Sequence, residues 1–243
     1  MRILFVQPYI TFPGVMEDTL PGQLARMGHD VLVATYARHP IPPSSVPRLG
    51  FVAMGGTSLS IPPFVSEFPI IFGLGDLAES FRPDIIHANN LPFLTTLQGV
   101  RAANKLRVGG VVHVNGVVME RARLLNALQR LFLRLFGPPV FARADRIICV
   151  NASDATEIEK YGAPPGKIAL IPNAVDVGKF SPPPPGGRME KALLWSGRFV
   201  KQKGLEYLVE AMALLVKRKG MGEASLRLTG DGPLLPRIQG MVK

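Results

Sequence analysis

Short apolar runs alternate with longer amphipathic stretches along this chain, which restricts it to a sheet whose strands are separated by helices. The runs are Arg2–Val6, Asp30–Ala34, Asp84–His87, Gly110–Val114, Arg146–Val150 and Lys167–Ile171. Their apolar residues are nearly continuous, as in strands buried on both faces of a parallel sheet. Between them, helical spacing predicts helices over Asp18–Met27, Phe93–Lys105, Met119–Phe136 and Ser153–Tyr161, with Gly28 and Gly162 as C-terminal caps. The stretch from Arg38 to Pro63 is rich in Pro, Gly and Ser and reads as loop with one strand near Phe51.

The pattern breaks at Phe180-Ser181-Pro182-Pro183-Pro184-Pro185-Gly186-Gly187. Consecutive prolines continue neither a helix nor a central strand, and they form a stiff extended spacer. Three segments are therefore expected: a domain over 1–180, a Pro-rich linker over 181–190, and a second domain over 191–243. In the last, the alternation restarts with a strand at Ala192–Trp195, a helix at Leu205–Lys217, a strand at Ser225–Thr229 and a helix after Gly232-Pro233. That is small for a complete doubly wound domain. The expected fold class is α/β, a Rossmann-like doubly wound parallel sheet followed by an incomplete second Rossmann-like domain.

Charge narrows the partners. The 28 Lys and Arg exceed the 18 Asp and Glu, for a formal charge of +10. Such a surplus suits nucleic acid, an acidic membrane face or a phosphate-bearing substrate, or it is simply a solvated basic surface. The chain has no basic block, zinc-ligand spacing or RNA-binding aromatic signature, which argues against nucleic acid. The single cysteine, Cys149, lies in an apolar run, so no internal disulfide forms and the thiol reads as structural. The N-terminal apolar stretch is too short for a signal peptide, and no run reaches the ~18–20 residues of a membrane span. A cytoplasmic location follows, and the sequon at Asn151 reads as accidental. One helix adds a membrane option: Met119–Phe136 mixes leucines at helical spacing with Arg121, Arg123, Arg130 and Arg134. It either lies on anionic lipid at the inner membrane face or packs on the sheet with its arginines in water.

Three places can carry chemistry. At Trp195–Gly204 a strand ends, Gly197 opens a loop, and a helix begins near Gly204. Ligands in open α/β sheets bind at the carboxyl ends of strands, and helix N-termini attract anions. Arg198 and Lys203 bracket this loop and suit a diphosphate, one as a planar fork and the other as a compact charge. The plainer alternative is a surface loop with two exposed bases. A second turn, Thr229-Gly230-Asp231-Gly232-Pro233, lacks the third glycine of a dinucleotide fingerprint, which disfavours a nicotinamide oxidoreductase. In the first domain, Gly14 follows the first strand and either approaches a ligand or serves a turn, while His87 and His113 with Asn115 sit on the carboxyl edge as structural or site residues.

In order, these segments resemble the family 4 glycosyltransferases, retaining enzymes of the GT-B fold. Gly28-His29-Asp30-Val31 is similar to the family's "GHxV" and Pro83-Asp84-Ile85-Ile86-His87-Ala88 to its "PDxIHAH". Ala144–Val150 resembles "ADRVIAVS", and Ile171–Asp176 with Phe180 and Pro182 resembles "IPNGVDxxxFxP". Gly197-Arg198 with Lys203-Gly204 resembles "GRLxxxKG", and Gly230–Pro233 resembles "GDGP". The resemblance implies sugar transfer from a nucleoside-diphosphate-sugar donor to a saccharide or lipid-linked acceptor with retention. It implies no cofactor and no obligatory metal. Arg198 and Lys203 map onto the donor-diphosphate residues, Gly14, Gly197 and Gly230 onto loops that contact ligand, His87 onto the acceptor side, and His113 with Asn115 onto the catalytic position. There are departures: Pro13-Gly14-Val15 replaces paired glycines, Asn115-Gly116 replaces "HG", and Asn89 replaces a histidine. The family's glutamate pair lies beyond "GDGP", and the chain reaches Lys243 before it, so the donor domain is expected to be truncated and this chain alone inactive. The alternative is a non-catalytic binding protein or subunit of the same fold that needs a partner.

Overall fold

The computed structural model describes residues 1–10, 13–37, 39–60, 67–91, 93–117, 123–180, 191–217 and 223–242. The chain divides into two compact units, Met1–Ala174 and Val175–Lys243.

The first unit runs β1 (Arg2–Gln7), α1 (Pro13–Asp18), α2 (Leu20–Arg26), β2 (Asp30–Tyr36), β3 (Leu49–Met54), β4 (Gly56–Ser60), β5 (Glu67–Ile71) and α3 (Leu74–Phe81). It continues with β6 (Ile85–Asn89), α4 (Leu94–Leu106), β7 (Gly109–Val114), α5 (Arg123–Arg143), β8 (Arg146–Cys149), α6 (Ala152–Glu159) and β9 (Ile168–Leu170). Seven strands form one parallel sheet in the order β3-β2-β1-β6-β7-β8-β9, as the apolar runs predict. Ile3, Leu4, Phe5 and Val6 of β1 are each at most 4% exposed, because helices cover both faces. Leu4 and Val6 pack with Ile86, Leu74, Ala78 and Ala103 on one side. Ile3 and Phe5 pack with Ala25, Val31 and Val33 on the other. Each of the larger of these side chains contributes roughly 1.5–3 kcal/mol on burial.

Several local expectations need correction. The helix expected over Asp18–Met27 is two helices that meet at Thr19. The stretch read as loop holds β3 where one strand was expected, and also β4, which pairs antiparallel with β5. Pro69 in β5 masks that strand in the sequence, and a two-stranded ribbon tolerates it. The helix expected to end at Phe136 runs on through Pro138 and Pro139 to Arg143. Val140 and Phe141 are at most 2% exposed, and their burial outweighs the hydrogen bonds that the prolines remove. Lys167 Nζ caps the far end, donating to the carbonyls of Phe141, Ala142 and Ala144 at 3.3, 3.1 and 2.7 Å. The start expected for this helix at Met119 and the expected linker 181–190 lie outside the described residues.

The second unit contains β10 (Ala192–Ser196), α7 (Leu205–Lys217), β11 (Ser225–Thr229) and α8 (Leu235–Met241). β10 and β11 pair in parallel, with Trp195 opposite Leu228. Phe199, Leu205, Val209 and Ile238 form the core.

Candidate functional site

In the first unit the chain adds β2 and β3 on one side of β1 and then β6 to β9 on the other. Carboxyl ends of strands at such a reversal are the usual ligand position in an open α/β sheet. Because side chains alternate along a strand, Phe5 and Gln7, His87 and Asn89, and His113 and Asn115 all point to one face. They make two rows.

The outer row is a line of amides. Asn115 Nδ2 donates to Asn89 Oδ1 at 2.7 Å, and Asn89 Nδ2 donates to Gln7 Oε1 at 2.8 Å. Gln7 Nε2 in turn lies 4.0 Å from Met16 Sδ of α1. Gln7 is 5% exposed, whereas Asn115 at the open end is exposed. Gly14 lies in α1, two positions before Met16.

The inner row is aromatic. His87 stacks on Phe5 with centroids 4.5 Å apart, and His87 Nε2 is 3.3 Å from His113 Nδ1. Burial, reinforced by His113, pushes the His87 pKa down to about 3. Burial also lowers that of His113. Both rings are therefore neutral near pH 7, sharing one N–H between facing nitrogens. His113 Nε2 is buried and has no hydrogen-bond partner among the described residues.

The loop after β7 carries Asn115 and is held from two sides. The carboxylate of Asp154, 1% exposed, accepts the N–H of Gly116 at 3.1 Å, the N–H of Val117 at 2.7 Å and Asn151 Nδ2 at 2.7 Å. Gly116 sits at φ 84°, where a side chain is disfavoured. On the other side, Gln129 Nε2 of α5 donates to the Val117 carbonyl at 2.6 Å. The corner after β6 is equally constrained. Asn90 has φ 69°, its N–H reaches the His113 carbonyl at 3.0 Å, and Thr96 Oγ1 donates to the carbonyls of Asn89 and Asn90.

Sequence reasoning singled out His87, His113 and Asn115 but missed Gln7, Asn89 and Asp154 as parts of this edge. The signal for the first two was present, since strand ends reading Phe-x-Gln, His-x-Asn and His-x-Asn repeat one two-residue period. Nothing local marks Asp154. Asn151 of the sequon is the N-cap of α6, accepting the Asp154 N–H at 2.8 Å.

In the second unit the two glycine turns form one backbone-paired structure. Gly197 N–H donates to the Thr229 carbonyl, Phe199 N–H to that of Asp231 at 2.8 Å, and Leu234 N–H to that of Phe199 at 2.9 Å. A Cβ on Gly230 would lie 1.9 Å from the Gly197 carbonyl oxygen, and one on Gly232 2.7 Å from that of Phe199. Phe199, 3% exposed, anchors the loop from below. Arg198 is then held outward, and a 3₁₀ turn over Lys201–Lys203 leads through Gly204 at φ 63° into α7. Arg198, Lys201 and Lys203 are exposed, and none has an ion-pair partner among the described residues. A rigid loop that presents unpaired cations ahead of a helix is equipped to hold an anion.

Among the described residues no cluster of His, Cys, Asp and Glu could hold a metal ion, and no helix is long and apolar enough to cross a membrane. Cys149 is buried, and burial together with Asp154 and Glu159 raises its pKa to about 11, as expected of a structural thiol.

Known proteins resemble this chain. A family model described as Glycosyltransferase Family 4 matches residues 19–179. An Escherichia coli UDP-Gal:alpha-D-GlcNAc-diphosphoundecaprenol alpha-1,3-galactosyltransferase is 26% identical over 184 residues, which cover 70% of this chain and 46% of that protein. A D-inositol 3-phosphate glycosyltransferase from Nocardiopsis dassonvillei is 30% identical over 168 residues, covering 62% of this chain and 38% of that protein. The crystal structure of Anabaena HepE in complex with UDP and glucose superposes with a TM-score of 0.69 at 17% identity, covering 100% of this chain and 65% of that one. The chain thus spans under half the length of these two sequence relatives.

Proposed function

Because this chain belongs to glycosyltransferase family 4, we propose that its protein transfers a sugar from a nucleoside-diphosphate-sugar to a hydroxyl acceptor with retention of anomeric configuration. The observation that carries this reading is the clamped loop Gly197–Gly204, which holds Arg198 and Lys203 exposed and unpaired after β10. In this reading Arg198 and Lys203 bind the donor diphosphate. As the glycosidic bond breaks, negative charge grows on the departing phosphate, and cations held in place beforehand lower the barrier.

The first unit takes the acceptor. Asn115, the exposed end of the amide row, hydrogen-bonds an acceptor hydroxyl, and Asn89 and Gln7 keep its amide aligned. His113 and His87, enclosed and neutral, act through the strand ends that carry Asn115 and Asn89. The name of the Escherichia coli relative, a transferase acting on a diphosphoundecaprenol-linked sugar, supports a lipid-linked saccharide as the acceptor class.

Calorimetric titration with a panel of nucleoside diphosphates tests the donor half. Each charge-assisted contact contributes on the order of 1.5–3 kcal/mol. Arg198→Ala and Lys203→Ala should each weaken binding roughly tenfold to a hundredfold at ~1.4 kcal/mol per factor of ten. Their thermal midpoints should not change, since both side chains are exposed. Unaltered affinity in both variants would remove these residues from the donor site.

A further inference from the structure

We propose that the outer face of α5 is a docking surface for an anionic lipid bilayer. From the sequence, this helix could use its apolar residues either to pack on the sheet or to meet lipid. The structure shows that packing consumes only some of them. Leu133, Val140 and Phe141 are at most 2% exposed and join the core with Val112, Ile147 and Ile158. Leu131 and Leu135 remain 52% and 59% exposed. They are one helical turn apart, at the i, i+4 spacing that places both on the same side.

Single exposed leucines are ordinary on protein surfaces and carry no message. Here the charge around them does. Arg130 and Arg134, also one turn apart and exposed, flank the leucines, and neither has an ion-pair partner among the described residues. From Arg123 to Arg143 the helix contains no Asp or Glu, although the whole chain has 18 acidic residues. A surface meant only for water would intersperse both signs. A nucleic acid would take the arginines but leave the leucines in water. A membrane interface accepts both, since leucines enter the boundary of the acyl region while arginine heads reach lipid phosphates.

The position of the face adds to the case. Gln129, the residue before Arg130, holds the loop that presents Asn115. If the first unit takes a lipid-linked acceptor, as proposed above, a bilayer under α5 delivers it beside that edge. This link rests on the transferase reading, whereas the lipid contact itself does not.

Sedimentation with vesicles of phosphatidylcholine alone, or of phosphatidylcholine with phosphatidylglycerol, tests the contact without donor or acceptor. The chain should pellet with the anionic vesicles and stay in solution with the neutral ones, and binding should fall as salt rises from about 0.1 to about 0.5 M. Arg130→Gln with Arg134→Gln should weaken the partition about tenfold or more, from the attraction that each basic residue gains near an anionic surface. Leu131→Gln with Leu135→Gln should weaken it by a similar factor, and thermal midpoints should show both double variants folded.

A second measurement is independent of pelleting. Cys149 is buried, so Leu135→Cys creates one reactive site for an environment-sensitive dye. Its emission should shift to the blue on anionic vesicles, whereas dye on Met27→Cys, a residue 72% exposed at the C-terminal cap of α2, should not respond. Equal binding to both vesicle types, wild-type partition in either double variant, a silent dye at position 135, or displacement of vesicles by single-stranded RNA would each overturn the proposal. If vesicle binding holds while the diphosphate titration fails, the membrane contact stands and only its connection to an acceptor is lost.

Discussion

His87 lies against Phe5 and faces His113 with almost no surface in water. Its pKa of about 3 makes it a source of pH-dependent stability. An unfolded chain protonates this imidazole near the ordinary histidine value of about 6.5. The folded chain does not until about pH 3. Between these limits the unfolded state binds more protons, so stability is lost as the pH is lowered, by on the order of 1.4 kcal/mol per unit from this group. His87→Phe preserves the stack on Phe5 but leaves His113 Nδ1 without its partner, so it should be less stable at pH 7.5. Between pH 7.5 and 5, however, it should lose less than the wild type. Thermal denaturation at several pH values compares the two, and parallel losses would show that His87 does not titrate as described. Glu17 acts in a different window. Donors from Ser45 and Ser44 hold its carboxyl below the usual range, so its contribution is intact above that range and disappears only at lower pH.

At the scale of elements, glycines mark where backbones meet. Gly99 sits within α4, where glycine costs roughly 1 kcal/mol relative to alanine. A Cβ there would lie 2.9 Å from Ala88 Cβ and 3.5 Å from Val6 Cβ, neither of which can swing aside. α4 therefore rests directly on β1 and β6, behind the strand ends that carry Gln7 and Asn89. Gly99→Val overpacks this contact by about 1–3 kcal/mol. Its thermal midpoint should fall by several degrees, at about 2–4 °C per kcal/mol for a unit of this size. A midpoint equal to the wild type's would mean that the helix can move off the sheet. Gln98, next to it, explains how β5 is held without a place in the main sheet. Its amide accepts the Ile71 N–H at 3.0 Å and donates to the Ile71 carbonyl at 2.7 Å, as a neighbouring strand would.

For the whole molecule, the division into Met1–Ala174 and Val175–Lys243 coincides with a stretch in which every residue from 171 to 180 is exposed. We expect brief trypsin treatment to cut first at Lys179 and leave a resistant piece of the first unit, read by mass spectrometry. Early cuts between residues 84 and 150 would contradict the division. The order of strands and helices was already legible, because apolar runs and helical spacing are local properties that each segment carries alone. So was the loop with Arg198 and Lys203, where cations and glycines are neighbours in sequence. The β4–β5 ribbon and the end of α5 were hidden, because Pro69, Pro138 and Pro139 signal breaks, the first tolerated in a two-stranded ribbon and the others outweighed by the burial of Val140 and Phe141. The amide row of Gln7, Asn89 and Asn115, the grip of Asp154 on the loop after β7, and the fit of Gly230 against Gly197 could not be read locally at all. Each depends on which residues of distant segments come to lie opposite one another, and strand register decides that. The outer face of α5 is the intermediate case. Its leucines and arginines are plain in the sequence, but only the packed sheet determines which leucines it covers and which it leaves to solvent.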